Sequence, residues 1–125
     1  TWRYEVHKKM KSIVEEICHK RGATADLRIP VGYPSVYNDP DLTARMKSSA
    51  IAFLGKEKVH DLPVRMTAED FSFYAREIPG CFYRIGTSSP ISDLGHRGLH
   101  TPHFDVDEDA LKLGAGLMAY AAATT

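Results

Sequence analysis

Three histidines lie close together near the end of this 125-residue chain, separated by four and then three residues. They are His96, His100 and His103. Neutral imidazole is a common ligand for zinc and related metals. On a helix this spacing would place all three rings on one face, but Pro102 and the neighbouring glycines exclude a helix. The spacing alone therefore does not define a metal site.

His100 differs from the other two histidines in its neighbours. Leu99 before it and Pro102 after it predict a fixed, partly buried loop, which makes His100 the candidate for binding a metal or a substrate. For His96 and His103 the simpler interpretation is a solvated surface group. The candidate site therefore starts from one imidazole.

Two further groups of polar residues are candidates, and each has a structural explanation. Glu69 and Asp70 fall on the first turn of a predicted helix, where a carboxylate stabilises the helix dipole by about 0.3–1 kcal/mol. Asn38 and Asp39 precede Pro40, which is typical of a helix N-terminus. A functional role for any of them needs support from elsewhere.

The composition excludes several classes of function. The chain has 16 basic and 16 acidic residues, a balance that argues against nucleic acid or an anionic membrane as the main partner. No apolar run approaches the roughly 18 residues that span a bilayer. There is no Gly-x-Ser-x-Gly elbow and no phosphate-binding loop. Cys18 and Cys81 stand alone, which predicts reduced thiols and a cytoplasmic location, with a disulfide as the alternative.

The hydrophobic pattern predicts the elements that would position these residues. Residues 2–21 show a helical stripe that ends at Gly22, and residues 25–33 alternate as a strand does. A second helix follows the Asp39 cap, and a third is predicted from Ala68 with Thr67 as its cap.

Later segments complete the pattern. Residues 56–64 and 81–86 have strand composition, residues 87–98 form a loop, and Asp107 caps a final helix. The order from residue 39 is helix, strand, helix, strand, helix, which predicts an α/β fold. A connector rich in Pro, Ser and Asn separates two parts, residues 1–36 and residues 37–125.

Several stretches taken together resemble one family, the metal-dependent amidohydrolases that include hippurate hydrolase, N-acyl-amino-acid amidohydrolases and auxin-conjugate hydrolases. The resemblance runs over essentially the whole chain from Trp2. The stretches that carry it are Gly-Tyr-Pro and Asn-Asp-Pro-Asp-Leu at 32–34 and 38–42, the Glu-Asp-Phe region at 66–74, residues 78–86, Leu-His-Thr-Pro at 99–102, and residues 104–115.

The resemblance implies a fold and a chemistry. Residues 37–125 would be the C-terminal part of a zinc-peptidase-like α/β catalytic domain, and residues 1–36 the last helix and strand of an α+β lid that often dimerises. His100 would be one ligand of a site for two zinc or manganese ions, which activates water for attack on the amide of an N-acyl amino acid. Glu69, Asp70 and Asn38 would border the substrate cleft.

The rest of such a site is not in this sequence. The stretches that carry the resemblance include no counterpart of the family's His-x-Asp metal loop and none of its Glu-Glu pair that carries the general base, so the chain alone is predicted to bind no metal pair and to hydrolyse nothing. The missing N-terminal part of the same protein is then a required partner. Apolar faces on residues 2–21 and 25–33 predict a homo-oligomer. The alternative is a non-catalytic oligomerisation or binding module that kept the fold.

Overall fold

All regular structure in this computed structural model is helical over the residues that it describes, 2–91 and 93–124. The elements are α1 (Trp2–Lys20), α2 (Pro40–Leu54), a 3-10 turn (Lys56–Lys58), α3 (Phe71–Glu77) and α4 (Asp109–Thr124). Those described ranges contain no strand. The predicted α/β fold class is therefore wrong for this chain.

The segments predicted as strands do not form strands, and one physical reason applies to all of them. Alternation of apolar residues indicates which side chains share a face, but a strand also needs a neighbouring backbone to complete its hydrogen-bond ladder. The described residues offer no ladder partner to 25–33, 56–64 or 81–86. Leu27 and Ile29 are half-buried, as the alternation predicts, whereas Val31 is 53% exposed.

The chain divides into two compact units, Thr1–Gly32 and Tyr33–Thr125. The interpretation of residues 1–36 and 37–125 as parts of a lid and a catalytic domain stays a prediction. In the first unit, α1 buries none of its residues. Its apolar stripe is therefore present but has no covering surface inside that unit.

Helix α1 ends as the sequence predicts. Gly22 has a φ of +67°, and the N–H of Ala23 donates to the carbonyl of Cys18 at 2.9 Å, while that of Gly22 donates to His19 at 3.1 Å. This pair of bonds is the Schellman arrangement, which satisfies the last carbonyls of a helix. Gly22 is confirmed as the C-terminal cap.

Of the three cap residues predicted for the later helices, two are observed. Asp39 Oδ1 accepts a hydrogen bond from Leu42 N at 2.8 Å, which confirms the cap of α2. Asp107 Oδ1 accepts from Asp109 N at 3.0 Å at the start of α4. The Thr67 cap is wrong, because α3 begins only at Phe71.

The core of the second unit lies between α2 and α4. The described residues that are both apolar and buried are Ala50, Leu117 and Ala121. Gly116 allows close approach, since a Cβ there would lie 2.8 Å from Cζ of Phe53. The Phe53 ring in turn contacts Tyr120, with ring centroids 5.5 Å apart. Helix α4 thus packs closely against another helix, α2.

Candidate functional site

The loop that carries the three histidines runs from Thr87 to Asp107 and is closed at its base. The N–H of Asp107 donates to the carbonyl oxygen of Thr87 at 2.9 Å. Gly95 packs against the same carbonyl, and a Cβ at this position would lie 2.0 Å from that oxygen. Its φ of +73° is also a conformation that glycine adopts without steric cost. The base of the loop therefore requires glycine at position 95.

Asp105 connects the two halves of this loop. Its Oδ1 accepts a hydrogen bond from the N–H of Gly95 at 2.8 Å, and its Oδ2 lies 3.8 Å from Nη1 of Arg97. In the sequence, Asp105 has no role of its own beyond the resemblance. No local pattern in the sequence shows that its carboxylate faces the loop interior.

His96 is held by the loop. Its ring Nε2 lies 2.8 Å from the carbonyl oxygen of Ser89, so this nitrogen carries the proton and donates it. Ser89 is buried, and its own N–H donates to the carbonyl of Leu94 at 2.9 Å. The residue is exposed, as the interpretation of a surface group predicts, and this hydrogen bond in addition fixes its ring to the loop.

His100 occupies an unusual backbone conformation at an exposed turn. Its φ is +62°, the one positive value among the described non-glycine residues. Thr101 Oγ1 donates to the carbonyl of Gly98 at 2.9 Å, which closes the turn around His100. An L-residue in this left-handed region costs roughly 1–2 kcal/mol, a penalty that glycine avoids. The fixed turn is as predicted, whereas the predicted partial burial is wrong because His100 is exposed.

The described residues do not form a complete metal site. Within 2–91 and 93–124, no group of three or more His, Cys, Asp or Glu side chains is placed to hold a metal ion. His100 fits the part of a single imidazole ligand, because its side chain is exposed on a fixed turn. Its role as a ligand stays a prediction.

Glu69 and Asp70 lie at the start of α3 and differ in their contacts. Glu69 is half-buried, and its Oε1 accepts from Phe71 N at 3.3 Å. Its carbonyl accepts from Ser72 Oγ at 2.6 Å, and Ser72 is fully buried. Asp70 is the N-cap residue, but its side chain makes no capping hydrogen bond. A role for either at the edge of a substrate cleft stays a prediction.

Both the nitrogen and the oxygen of the Asn38 side-chain amide form hydrogen bonds. Its Nδ2 donates to the carbonyl of Phe82 at 2.9 Å, and its Oδ1 accepts from the N–H of Phe82 at 2.8 Å. The neighbouring Asp39 N–H donates to the carbonyl of Gly80 at 2.8 Å. The side chain thus imitates a paired peptide group, and this role was invisible in the sequence. A role at the cleft stays a prediction.

A cavity of about 550 Å³ lies in the second unit between α2, α4 and the segments 58–62 and 81–86. Its apolar lining includes Met46, Ala50, Leu54, Val59, Leu113 and Leu117. Asn38 lines this cavity, whereas His100, Glu69 and Asp70 do not. The structure therefore keeps the histidine loop and the cavity apart, and it does not gather the four predicted site residues at one place.

The sequence model of peptidase family M20/M25/M40 matches residues 4–124, which is nearly all of the chain. The chain belongs to peptidase family M20/M25/M40. The resemblance to metal-dependent amidohydrolases is confirmed at this level. None of the helices among the described residues is long and apolar enough to cross a membrane.

The chain is similar to three named proteins from distant organisms. Putative amidohydrolase YhaA of Bacillus subtilis is 32% identical over 95% of this chain and 30% of its own length. IAA-amino acid hydrolase ILR1-like 6 of Arabidopsis thaliana is 39% identical over 70% of this chain and 18% of its own length. Thermostable carboxypeptidase 1 of Saccharolobus solfataricus is 34% identical over 85% of this chain and 26% of its own length.

The chain thus spans less than a third of the length of each of these relatives. No solved structure matches it. Membership of the M20/M25/M40 family is shown, while the activity of any longer protein that contains the chain is a matter for proposal.

Proposed function

We propose that this chain is the C-terminal part of a metal-dependent amidohydrolase that cleaves the amide bond of N-acyl amino acids of the hippurate type. The observation that supports it most is His100, an imidazole kept at a backbone position that favours glycine. Backbone strain of this kind concentrates at functional sites. The names of two relatives, an amidohydrolase and an IAA-amino acid hydrolase, favour amide chemistry.

When bound, two zinc or manganese ions would polarise the amide carbonyl and activate a water molecule. His100 would supply one imidazole nitrogen to them, and the turn closed by Thr101 would restrict the position of its ring. Glu69 and Asp70 would border the substrate cleft, as would Asn38. The general base and the other metal ligands would come from the missing N-terminal part of the same protein, so the chain alone would be inactive.

The proposal extends to partners and location. A homo-oligomer is supported by α1, on which Trp2 is 72% exposed and Ile17 is 53% exposed. The free thiols of Cys18 and Cys81 support a cytoplasmic location. The balanced charge supports a small-molecule substrate and neither nucleic acid nor a membrane surface as partner.

Replacing His100 by glycine in the full-length gene product tests the ligand role. Glycine adopts the observed φ without strain, so we expect the thermal midpoint of the metal-free protein to be unchanged or higher. Loss of a metal ligand should lower hydrolysis of N-benzoylglycine by at least about 100-fold and reduce the bound zinc or manganese. The matched control is His103→Ala, an exposed imidazole in the same loop, which should keep both metal and activity.

Each outcome decides between the two candidate functions. Full activity and metal content in His100→Gly would contradict the assignment of His100. A full-length protein that binds no zinc or manganese would favour the non-catalytic oligomerisation or binding module. Metal-dependent turnover by this chain alone would contradict the need for the N-terminal part.

A further inference from the structure

The turn that carries His100 is fixed in its own shape by hydrogen bonds between its residues. Thr101 Oγ1 donates to the carbonyl of Gly98 at 2.9 Å, and the N–H of Phe104 donates to the carbonyl of Thr101 at 3.1 Å. These bonds do not fix where the turn lies relative to the base of the loop, because their donors and acceptors all belong to residues 98–104. The place of the His100 ring therefore depends on how the two ends of the turn are attached.

The first end of the turn follows Gly95, which is held in the base of the loop. The carbonyl of Gly95 accepts a hydrogen bond from Ser88 Oγ at 2.8 Å. Its Cα approaches Thr87 so closely that an added Cβ would lie 2.0 Å from the Thr87 carbonyl oxygen. That same oxygen accepts from the N–H of Asp107 at 2.9 Å, beyond the second end of the turn. Gly95 is therefore a fixed point to which the second end can be attached.

Asp105 makes this attachment with its side chain. Its Oδ1 accepts from the N–H of Gly95 at 2.8 Å, and His100 lies midway between the two residues along the chain. The Asp105 side chain is 28% exposed, and a hydrogen bond to a carboxylate that is largely shielded from water is strong. Arg97 contributes less, because its Nη1 is 3.8 Å from Oδ2 and its side chain is 53% exposed. The bond to Gly95 is thus the main function of this carboxylate in the loop.

The backbone of His100 indicates that the place of its ring matters. Its φ of +62° is strained for histidine and free of strain for glycine. Strained residues persist where the surrounding structure over-determines their conformation. The bonds inside the turn determine this φ, and the bond from Gly95 to Asp105 joins the two ends between which the turn is held. Together they keep one imidazole in one position on an exposed surface.

We propose that Asp105 is a positioning residue for His100, and that its hydrogen bond to the N–H of Gly95 keeps the imidazole oriented for a zinc or manganese ion. The inference rests on the proposed function, because it needs His100 as a metal ligand. It goes beyond that function, because it assigns part of the metal affinity to a residue that acts through the ligand. Groups that orient a metal ligand from outside commonly change metal affinity by about 10–100-fold when they are removed.

The experiment measures the zinc affinity of the full-length gene product by competition with a chelator. Asp105→Ala should bind zinc at least about tenfold more weakly than the wild type. Asp105→Asn keeps an oxygen in the place of Oδ1, so its zinc affinity should stay within about threefold of the wild type, since the hydrogen bond and not the charge carries the effect. The matched control is Asp93→Ala, which removes an exposed carboxylate from the same loop and should leave zinc affinity unchanged.

Two further measurements separate positioning from a general effect on the fold. In a His100→Gly background, Asp105→Ala should weaken zinc binding by no more than about threefold further, because the imidazole through which it acts is gone. A residue that only stabilised the fold would weaken zinc binding by the same factor in both backgrounds. In the metal-free protein, Asp105→Ala should accelerate hydrogen exchange of the amides at 98–104 at least about tenfold, while α2 and α4 keep their protection.

Four results would overturn the positioning role of Asp105, and none of them depends on activity. They are unchanged zinc affinity in Asp105→Ala, an equal loss in the two backgrounds, a loss in Asp105→Asn as large as in Asp105→Ala, and a lost helical circular dichroism signal in Asp105→Ala, which would make the residue structural. If His100→Gly alone weakens zinc binding, the proposed function stands without this inference. Unchanged zinc affinity in His100→Gly would overturn both proposals.

Discussion

The histidine loop and helix α1 are both largely exposed, yet they are stabilised in opposite ways. The loop is held by its own polar groups, through the bond from Asp107 to Thr87 and the carboxylate of Asp105 on Gly95. Helix α1 has an apolar stripe instead, and none of its residues is buried. On that stripe Ile13 is 52% exposed.

This contrast follows from what each kind of interaction needs from its partners. A hydrogen bond needs one partner at a fixed distance, which a short loop can supply from its own residues. The hydrophobic effect grows with the area removed from water, so a single helix cannot satisfy its own apolar face. The loop is therefore complete as it stands, whereas α1 needs another surface.

The largest loss of stability should come from placing a side chain at Gly95, at the base of the loop. Gly95→Ala places a Cβ 2.0 Å from the carbonyl oxygen of Thr87 at a φ of +73°. We expect the loop to open at a cost of more than about 2 kcal/mol, seen as faster hydrogen exchange across residues 87–107 by mass spectrometry. Gly98→Ala is the control, because its Cβ would meet only Thr101 Cγ2 at 3.6 Å. Equal exchange in both variants would show that the loop is not closed as described.

A smaller effect should follow from removing the carboxylate of Asp105. Asp105→Ala leaves the N–H of Gly95 without its acceptor, and hydrogen bonds to charged groups contribute about 1.5–3 kcal/mol. We expect the exchange of the Gly95 amide to accelerate while the helices keep their protection. Asp93→Ala in the same loop removes an exposed carboxylate and should leave this amide unchanged. Unchanged exchange in Asp105→Ala would mean that the loop does not depend on this residue.

The smallest effect on stability should come from α1. Ile13→Lys combined with Ile17→Lys replaces two residues that are 52% and 53% exposed, so the helical circular dichroism signal of the chain should stay within about 10%. If α1 is an association surface, the mass measured by light scattering should fall towards that of a monomer. Ser12→Lys adds charge elsewhere on the helix and is the control. An identical mass for all three proteins would argue against α1 as the interface.

The parts of the fold that were predicted correctly are those decided within a few residues. Asp39 caps α2 through the N–H of Leu42, three residues away, and Gly22 ends α1 within a single turn. The strands were not decided locally, since a ladder depends on a second backbone that the pattern at 25–33 does not specify. The Thr67 cap failed because the carboxylate of Glu69 binds Phe71 N and the helix starts later.

For the candidate site, the sequence identified the residue types but not their partners. The bond from His96 to Ser89 and that from Gly95 to Asp105 join residues seven and ten positions apart in an irregular loop. No periodicity predicts such pairs. The positive φ of His100 was also hidden, because the sequence Leu-His-Thr-Pro offers no glycine or asparagine to signal it.

The two hydrogen bonds between Asn38 and Phe82 make this contact sensitive to chemical ageing. Deamidation converts an asparagine to an aspartate and releases ammonia, which replaces the Nδ2 donor by a second carboxylate oxygen. That oxygen would face the carbonyl oxygen of Phe82, now 2.9 Å from Nδ2, so an attraction would become a repulsion. The age of a preparation, and not only its sequence, would then decide how firmly Asn38 holds the segment that follows Gly80.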